Sequence, residues 1–159
     1  MIDKTPSSFE KCLILFSSAL EFIENKKNKM NKLIIDAADK KIFFMLIKNK
    51  NIYSVSHENS KTNYEKLVIL IYEFLNSNNL IIDNISSLYV NQGPGSFAGI
   101  RNSLAVVKGI HVAKKIDYYC FSFNNFDKSD RNIYENIPNI CDKLNIKKNL
   151  INPVYLSLN

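Results

Sequence analysis

From Lys32 onward, short apolar runs alternate with two long stretches of helical periodicity. The predicted strands are Leu33–Ile35 (ending at Asp36), Lys40–Ile47, Asn51–Ser56, Ile85–Val90 and Asp117–Ser122, and the predicted helices are Thr62–Asn79 and Ser96–Lys115. A short polar link joins the second and third strands, so we expect an antiparallel meander, followed by strand–helix alternation in which the last strands are parallel. The predicted class is α/β, a mixed sheet in the order β-β-β-α-β-α-β.

Residues 1–30 have a different pattern. The string Ser7-Ser8-Phe9-Glu10 matches a capping box, and apolar residues follow it at helical spacing as far as Ile23. We expect one amphipathic helix that ends near Asn25, and then a lysine-rich linker to Met30, where the sequence resembles a natural protein start. The segment is therefore either a genuine extension or a start site placed too far upstream. Acidic residues and the lack of an A-x-A site weigh against a signal peptide.

The composition is that of one small domain. The chain has 159 residues, of which 46% are hydrophobic, and no apolar run reaches the ~20 residues that span a bilayer. A net charge of +6 raises the prior for nucleic-acid contact. Nearly all the basic residues are evenly spread lysines, however, which is typical of a solvated surface. Cys12, Cys120 and Cys141 show no C-x-x-C spacing, so we expect reduced, buried thiols in a cytoplasmic protein.

The first predicted helix is apolar nearly all round, a pattern that normally indicates burial on every side. One stripe is expected to face the sheet, and further apolar residues point elsewhere: the stripe is Tyr64, Leu67, Val68, Ile71 and Leu75, and the others are Ile69, Leu70, Tyr72 and Phe74. A sheet covers only one side of a helix. The sequence therefore favours a partner, another lobe or the N-terminal helix on the other side, with scattered surface apolar residues as the alternative.

The second predicted helix carries small residues at a spacing of four, at Ala105, Gly109 and Ala113. Small residues let another element approach the helix backbone closely. Glycine inside a helix costs about 1 kcal/mol relative to alanine, which indicates a packing reason for Gly109. That reason is either a partner or close packing of this helix on its own sheet.

The most specific string in the chain is Asn91-Gln92-Gly93-Pro94-Gly95-Ser96-Phe97-Ala98-Gly99-Ile100-Arg101. It predicts a strand-to-helix turn with positive φ allowed at Gly93 and Gly95, Ser96 as the N-cap, and backbone amides able to bind a phosphate or carboxylate. The string resembles the G-P-G-S-F-[TA]-G-[LIV]-R signature of the TsaB family, also called YeaZ. The matching signature residues are Gly93, Pro94, Gly95, Ser96, Phe97, Gly99 and Arg101, and Leu104, Ala105, Lys108 and Gly109 resemble the helix that follows.

This resemblance covers about residues 31–126. It implies a single actin-like and Hsp70-like (ASKHA) lobe with no catalytic residue, cofactor or metal. It implies that the chain is a scaffold partner of the enzyme TsaD, which forms threonylcarbamoyladenosine next to the tRNA anticodon. It further implies TsaE as a possible second partner, only indirect contact with tRNA, and a possible homodimer when the chain is alone. The predicted partner surface comprises Tyr64, Leu67, Val68, Ile69, Leu70, Ile71, Phe74, Arg101, Ala105, Lys108 and Gly109.

The sequence also departs from the family pattern. The family's D-T-S is Asp36-Ala37-Ala38 here, so hydroxyls that could hold a phosphate are missing. Residues 127–159 are polar and too short for the family's second lobe, although Pro153-Val154-Tyr155-Leu156 resembles a string near the family's C-terminus. We therefore expect a reduced form that lacks most of that lobe. The alternatives are a decayed copy, a small nucleotide-binding or phosphotransfer enzyme that uses the Asp36 loop, and a basic tRNA-binding module.

Catalytic constellations are missing from the sequence. His57 and His111 are the only histidines and lie too far apart for an H-x-x-x-H or zincin site. The sequence has no Walker A, G-x-S-x-G or G-x-G-x-x-G motif. Ser96 has no histidine placed to serve it, so capping explains it better than nucleophilic catalysis. The M22 peptidase-like name attached to this superfamily receives no support.

Overall fold

In a computed structural model of the chain, the described residues are 11–18, 31–131 and 133–155. The chain divides into two compact units, Met1–Met30 and Asn31–Asn159. In the first unit, residues 11–18 form helix α1, within the range predicted for the amphipathic helix. The rest of that predicted helix and the linker after it lie outside the described residues.

The second unit is built on a five-stranded mixed sheet. Its strands are β1 (Asn31–Asp36), β2 (Lys41–Lys48), β3 (Asn51–Glu58), β4 (Ile85–Asn91) and β5 (Asp117–Phe121). The spatial order is β3-β2-β1-β4-β5, with antiparallel pairing among the first three and parallel pairing from β1 to β4 and from β4 to β5. The predicted class, the meander and the parallel last strands are confirmed.

The described residues of this unit form four α-helices: α2 (Lys61–Glu65), α3 (Leu67–Ser77), α4 (Phe97–Lys114) and α5 (Ile137–Lys143). The single helix predicted over Thr62–Asn79 is therefore wrong, because the helix breaks at Lys66, where φ is −96° and ψ is 9°. The break lets Tyr64 reach the turn before α4 while α3 follows the sheet. Helix α2 begins after Ser60, whose hydroxyl accepts a hydrogen bond from the amide of Asn63.

Strand alternation divides the core between the two faces of the sheet. Leu33 and Ile35 of β1 point to one face, where they pack with α3 and α4, and Ile34 points to the other. The second face is covered by the C-terminal segment: Ile137, Ile140 and Cys141 are buried there with Tyr89, Phe121 and Phe126. The stretch predicted to be a polar remnant therefore supplies an apolar layer to the same sheet.

The cysteines differ in their surroundings. Cys120 and Cys141 are buried as expected, and burial raises the pKa of each thiol to about 12, so both are protonated at neutral pH. The prediction of burial is wrong for Cys12, which is exposed on helix α1.

Candidate functional site

The signature turn between β4 and α4 is packed against the loop that follows β1. A Cβ at Gly95 would collide with the carbonyl oxygen of Ala38, and one at Gly99 would collide with that of Ala37. Gly93 has a φ of +103°, so the predicted positive φ is confirmed there. It is wrong for Gly95, where the close approach of another backbone, and not the local dihedral angle, requires glycine.

Ser96 is the N-cap of α4, as the sequence predicts. Its hydroxyl accepts a hydrogen bond from the amide of Gly99 (3.3 Å) and lies 3.0 Å from the hydroxyl of Tyr64. Tyr64 in turn donates to the side-chain oxygen of Asn59. Ser96 has no histidine among these partners, so its place in the structure is that of a cap and not of a nucleophile.

Several amides of the turn already have acceptors within the chain. The amide of Gly93 donates to Asn91 Oδ1 (2.9 Å), that of Ser96 to the carbonyl of Ala38 (2.7 Å) and that of Gly99 to Ser96. These N–H groups are therefore not free to bind an anion. The turn works as a structural joint between β1, β4 and α4.

Asp36 lies at the end of β1 and is buried beside this joint. Its carboxylate accepts hydrogen bonds from the amide of Ala38 (2.9 Å), the side-chain amide of Asn91 (3.0 Å) and the hydroxyl of Tyr134 (2.8 Å). Burial raises the pKa of Asp36 above its ordinary value, against these hydrogen bonds, which lower it. Burial of the phenol, and after it the neighbouring Asp36 carboxylate, raise the pKa of Tyr134 as well.

The Asp36 loop does not fit a magnesium-bound phosphate, which the phosphotransfer alternative requires. A cleft of about 540 Å³ opens here between the Asp36 loop and Tyr134. Its one buried carboxylate is already satisfied by three donors of the chain, and Ala37 and Ala38 offer no hydroxyl. In the described part of the chain, no group of three or more His, Cys, Asp or Glu side chains is placed to hold a metal ion.

The raised pKa of Asp36 predicts a pH-dependent contribution to stability. Because the folded state holds the proton more tightly than the unfolded state, the contribution is fully present below the ordinary pKa of 3.8 and is lost as pH rises through the folded-state pKa. We expect the unfolding free energy of the wild type, minus that of Asp36→Asn, to fall from about pH 3 to pH 7 in urea titrations. A difference that does not change with pH would contradict the raised pKa.

A C-terminal segment crosses the outside of the turn. The amide of Val154 donates to the carbonyl of Gln92 (2.8 Å), and the amide of Asn152 donates to the side chain of Gln92 (3.1 Å). The ring centroids of Tyr155 and Phe97 lie 4.9 Å apart. The guanidinium carbon of Arg101 lies over the Phe97 ring, 5.0 Å from the ring centroid. Arg101, predicted to contact a partner, is exposed and stacks on the signature turn itself.

A groove of about 610 Å³ runs between α2–α3 and α4. Tyr64 and Leu67 form its buried floor, Val68 lies on one wall, and the small residues Ala105 and Gly109 lie on the other. A Cβ at Gly109 would meet no atom of the described structure within 4 Å. The alternative that Gly109 serves close packing on its own sheet is therefore wrong, because that side of α4 faces open space.

The structure sorts the other residues of the predicted partner surface into two groups. Val68 and Ile69 are exposed, as are Ala105 and Lys108. By contrast, Ile71 and Phe74 are buried in the chain's own core, and Leu70 is half-buried on the side towards β3. Two expectations are therefore wrong: Val68 does not face the sheet, and Phe74 does not point away from it. The helix turns by about 100° per residue, which puts Phe74 beside Leu67 and Ile71.

Sequence reasoning missed Tyr134 and the C-terminal crossing. Tyr134 lies 98 residues from Asp36 in the chain, so no local pattern connects the two. Helix α5 did leave a signal, because Ile137, Ile140 and Cys141 stand at helical spacing and Pro138 lies in the first turn, where proline is favoured. The polar residues around these three make the helical spacing hard to recognise in the sequence.

Comparison with curated proteins finds a relative that is similar to part of this chain. The chain is 32% identical over 74 residues to the "tRNA threonylcarbamoyladenosine biosynthesis protein TsaB" of Buchnera aphidicola subsp. Baizongia pistaciae (strain Bp), a match that covers 41% of this chain and 34% of that protein. The chain thus spans about a third of the length of this curated relative. No profile of a protein family matches the chain.

Solved structures agree on the fold. YeaZ from Pseudomonas aeruginosa superposes with a TM-score of 0.54 at 18% identity, over 58% of this chain and 43% of that one. A second structure from the same organism, described as similar to peptidase YEAZ, gives the same values. The likeness supports the predicted ASKHA-like class. Among the described helices, none combines the length and the apolar character needed to cross a membrane.

Proposed function

From the assignment to the TsaB/YeaZ family, which the sequence relative and the fold support, we propose that this chain takes part in threonylcarbamoyladenosine biosynthesis on tRNA as a non-catalytic scaffold. It acts in the cytoplasm and binds the enzyme TsaD. The groove between α2–α3 and α4 receives a helix of that partner. The observation that carries this proposal is the open wall at Gly109, where a Cβ on this costly helix glycine would meet no atom of the described residues within 4 Å.

The groove suits a helix better than a small ligand. Its exposed wall residue Val68 and its buried floor are apolar, and the small side chains of Ala105, Gly109 and Ala113 allow a second helix backbone to come close to α4. The few polar groups stand at the rim, where Lys114 is paired with Asp83 at 2.9 Å. A packed helix would bury apolar area here and leave the rim charges in water.

The primary test is co-expression with the TsaD of the same genome, followed by size-exclusion chromatography with light scattering. We expect a stable one-to-one complex. Separate elution of the two proteins would contradict the proposed partnership. TsaE is added to the purified complex as a further partner, and its co-elution is measured in the same way.

A groove variant tests where TsaD binds. Gly109→Leu is expected to fold normally, because its side chain enters open space, and to weaken TsaD binding at least about tenfold by filling the groove. Asn76→Leu is the matched control, since it adds the same side chain to an exposed helix position that does not line the groove. Calorimetric titration measures both. Equal affinities of the two variants would place the interface elsewhere.

A further inference from the structure

Helix α4 has an exposed basic side. The sequence holds no Asp or Glu between Asp83 and Asp117, a stretch that includes the whole helix. Arg101 and Lys108 are exposed and stand seven residues apart, about two helical turns, so they share one side of α4. Lys115, the exposed C-cap residue, follows at the same spacing. The lysines are spread evenly along the chain but the acidic residues are not, so positive charge is in local excess here.

The chain itself does not neutralise these charges. Within the described residues, none of Arg101, Lys108 and Lys115 forms an ion pair. The carboxylate of Asp117, which follows closely in the sequence, is held by Lys148 at 3.0 Å. Neither Arg101 nor Lys108 lines the groove between α2–α3 and α4. The basic side is therefore separate from the surface proposed for TsaD.

Two aromatic rings are exposed at the start of the same side. Phe97, the first residue of α4, is 54% exposed, and Tyr155 of the C-terminal segment, whose ring packs against it, is 41% exposed. The guanidinium of Arg101 lies over the Phe97 ring. Stacking holds a guanidinium in place while its N–H edge remains able to bind a phosphate in bidentate fashion. The rings and the arginine together suit a planar base and the phosphate beside it.

We propose that this side of α4 binds RNA directly, with an unpaired base on Phe97 and Tyr155 and the neighbouring phosphates on Arg101 and Lys108. An unpaired RNA loop combines closely spaced negative charges with exposed base faces, and the surface offers a complement to both. An acidic protein segment would match the charges and leave the rings without a partner. The resemblance implies only indirect contact with tRNA. That the RNA is a tRNA loop rests on the proposed function, whereas the binding chemistry rests on the surface alone.

Salt dependence provides the first test, with the full chain alone and two fluorescently labelled probes. One probe is an RNA hairpin with an unpaired loop, and the other is a fully paired RNA duplex of the same length. Fluorescence anisotropy measures each dissociation constant. We expect the hairpin to bind more tightly than the duplex and to lose about tenfold in affinity between about 50 and 200 mM salt, as two or three phosphate contacts require. Equal affinity for both probes, or binding that does not respond to salt, would overturn the proposal.

Charge variants test the position of the contact. Arg101→Gln and Lys108→Gln each remove one charge, so each should raise the hairpin dissociation constant about fivefold and lower the salt slope by about 0.7. Arg101→Lys keeps the charge but loses the planar fork, so its affinity should fall with an unchanged slope. Lys50→Gln is the matched control, because it removes an exposed charge from the β2–β3 turn at the far end of the sheet. Equal losses in Lys50→Gln and Arg101→Gln would show binding through overall charge and overturn the assignment to α4.

An aromatic variant tests the base contact. Phe97→Leu keeps an apolar side chain but removes the ring, so the hairpin dissociation constant should rise about tenfold while the salt slope and the duplex affinity stay unchanged. Tyr72→Leu is the matched control, since it removes another exposed ring, on α3. Both positions are exposed, so the fold is expected to be retained. A Phe97→Leu variant that binds the hairpin as the wild type does would refute the role of the ring.

TsaD binding is measured separately by size-exclusion chromatography. Arg101→Gln should still co-elute with TsaD, because Arg101 does not line the groove. If the wild type binds the hairpin but not TsaD, the proposed function fails and the RNA contact stands. If Arg101→Gln loses TsaD and keeps the hairpin, this side belongs to the protein partner and the RNA proposal is overturned. Binding of labelled polyglutamate as tight as that of the hairpin, and lost in Arg101→Gln, would likewise assign the surface to an acidic protein.

Discussion

Gly99→Ala is expected to lower the free energy of unfolding by about 3 kcal/mol, the upper end of the range for overpacking a core. The added methyl group would enter the carbonyl of Ala37, a backbone group that cannot move away as a flexible side chain can. Gly99 opens α4 where the helix is pressed against the loop after β1, so relief would require shifting the joint between β1, β4 and α4. Since small domains are stable by only about 5–15 kcal/mol, a large part of the stability would be lost.

Gly109→Ala is the matched control on the same helix. Its methyl group meets open space, and replacing a helix-interior glycine removes conformational freedom from the unfolded chain. We expect the free energy of unfolding to rise by about 0.5–1 kcal/mol. Urea titration followed by circular dichroism measures both variants. If the two alanines had equal effects, the contrast between a packed and an open glycine would be refuted.

The sheet could be predicted because its evidence is local. Each strand is a short apolar run bounded by polar residues, and the link at Asn49 and Lys50 specifies a hairpin without knowledge of the rest. The turn from Asn91 to Ser96 was equally accessible, since a glycine–proline–glycine string followed by a capping serine has few other uses. These signals depend on neighbours in the sequence, and the strand ends predicted from them agree with the observed ends to within two residues.

Contacts between distant segments could not be predicted in the same way. The Asp36 carboxylate depends on Asn91 and Tyr134, 55 and 98 residues away, and nothing near Asp36 in sequence names either partner. The glycines show the same limit. The sequence indicated that Gly95 and Gly109 have special roles, but only the structure shows that Gly95 meets another backbone and that Gly109 faces open space.

Helix α3 shows how a helical pattern can assign residues to the wrong side. Nine consecutive residues from Leu67 to Leu75 include eight apolar ones, so periodicity alone leaves the direction of the buried stripe poorly determined. The stripe in the structure runs through Leu67, Ile71 and Phe74, and Val68 lies outside it. The predicted stripe was rotated slightly about the helix axis from the observed one, so Val68 was assigned to the buried side and Phe74 to the exposed side. Any experiment on the partner surface must respect the corrected orientation.

Phe74→Glu is accordingly expected to unfold the domain and to abolish TsaD binding only as a consequence. Phe74 is 7% exposed and its ring lies 6.0 Å from that of Phe44, so truncation to alanine alone should cost about 3–5 kcal/mol, and a buried carboxylate costs more. Ile69→Glu adds the same charge at a position that is 52% exposed, and it should change stability by no more than about 0.5 kcal/mol. Thermal unfolding distinguishes the two. A folded Phe74→Glu variant would mean that α3 packs in a different orientation, and the partner surface would then have to include Phe74 after all.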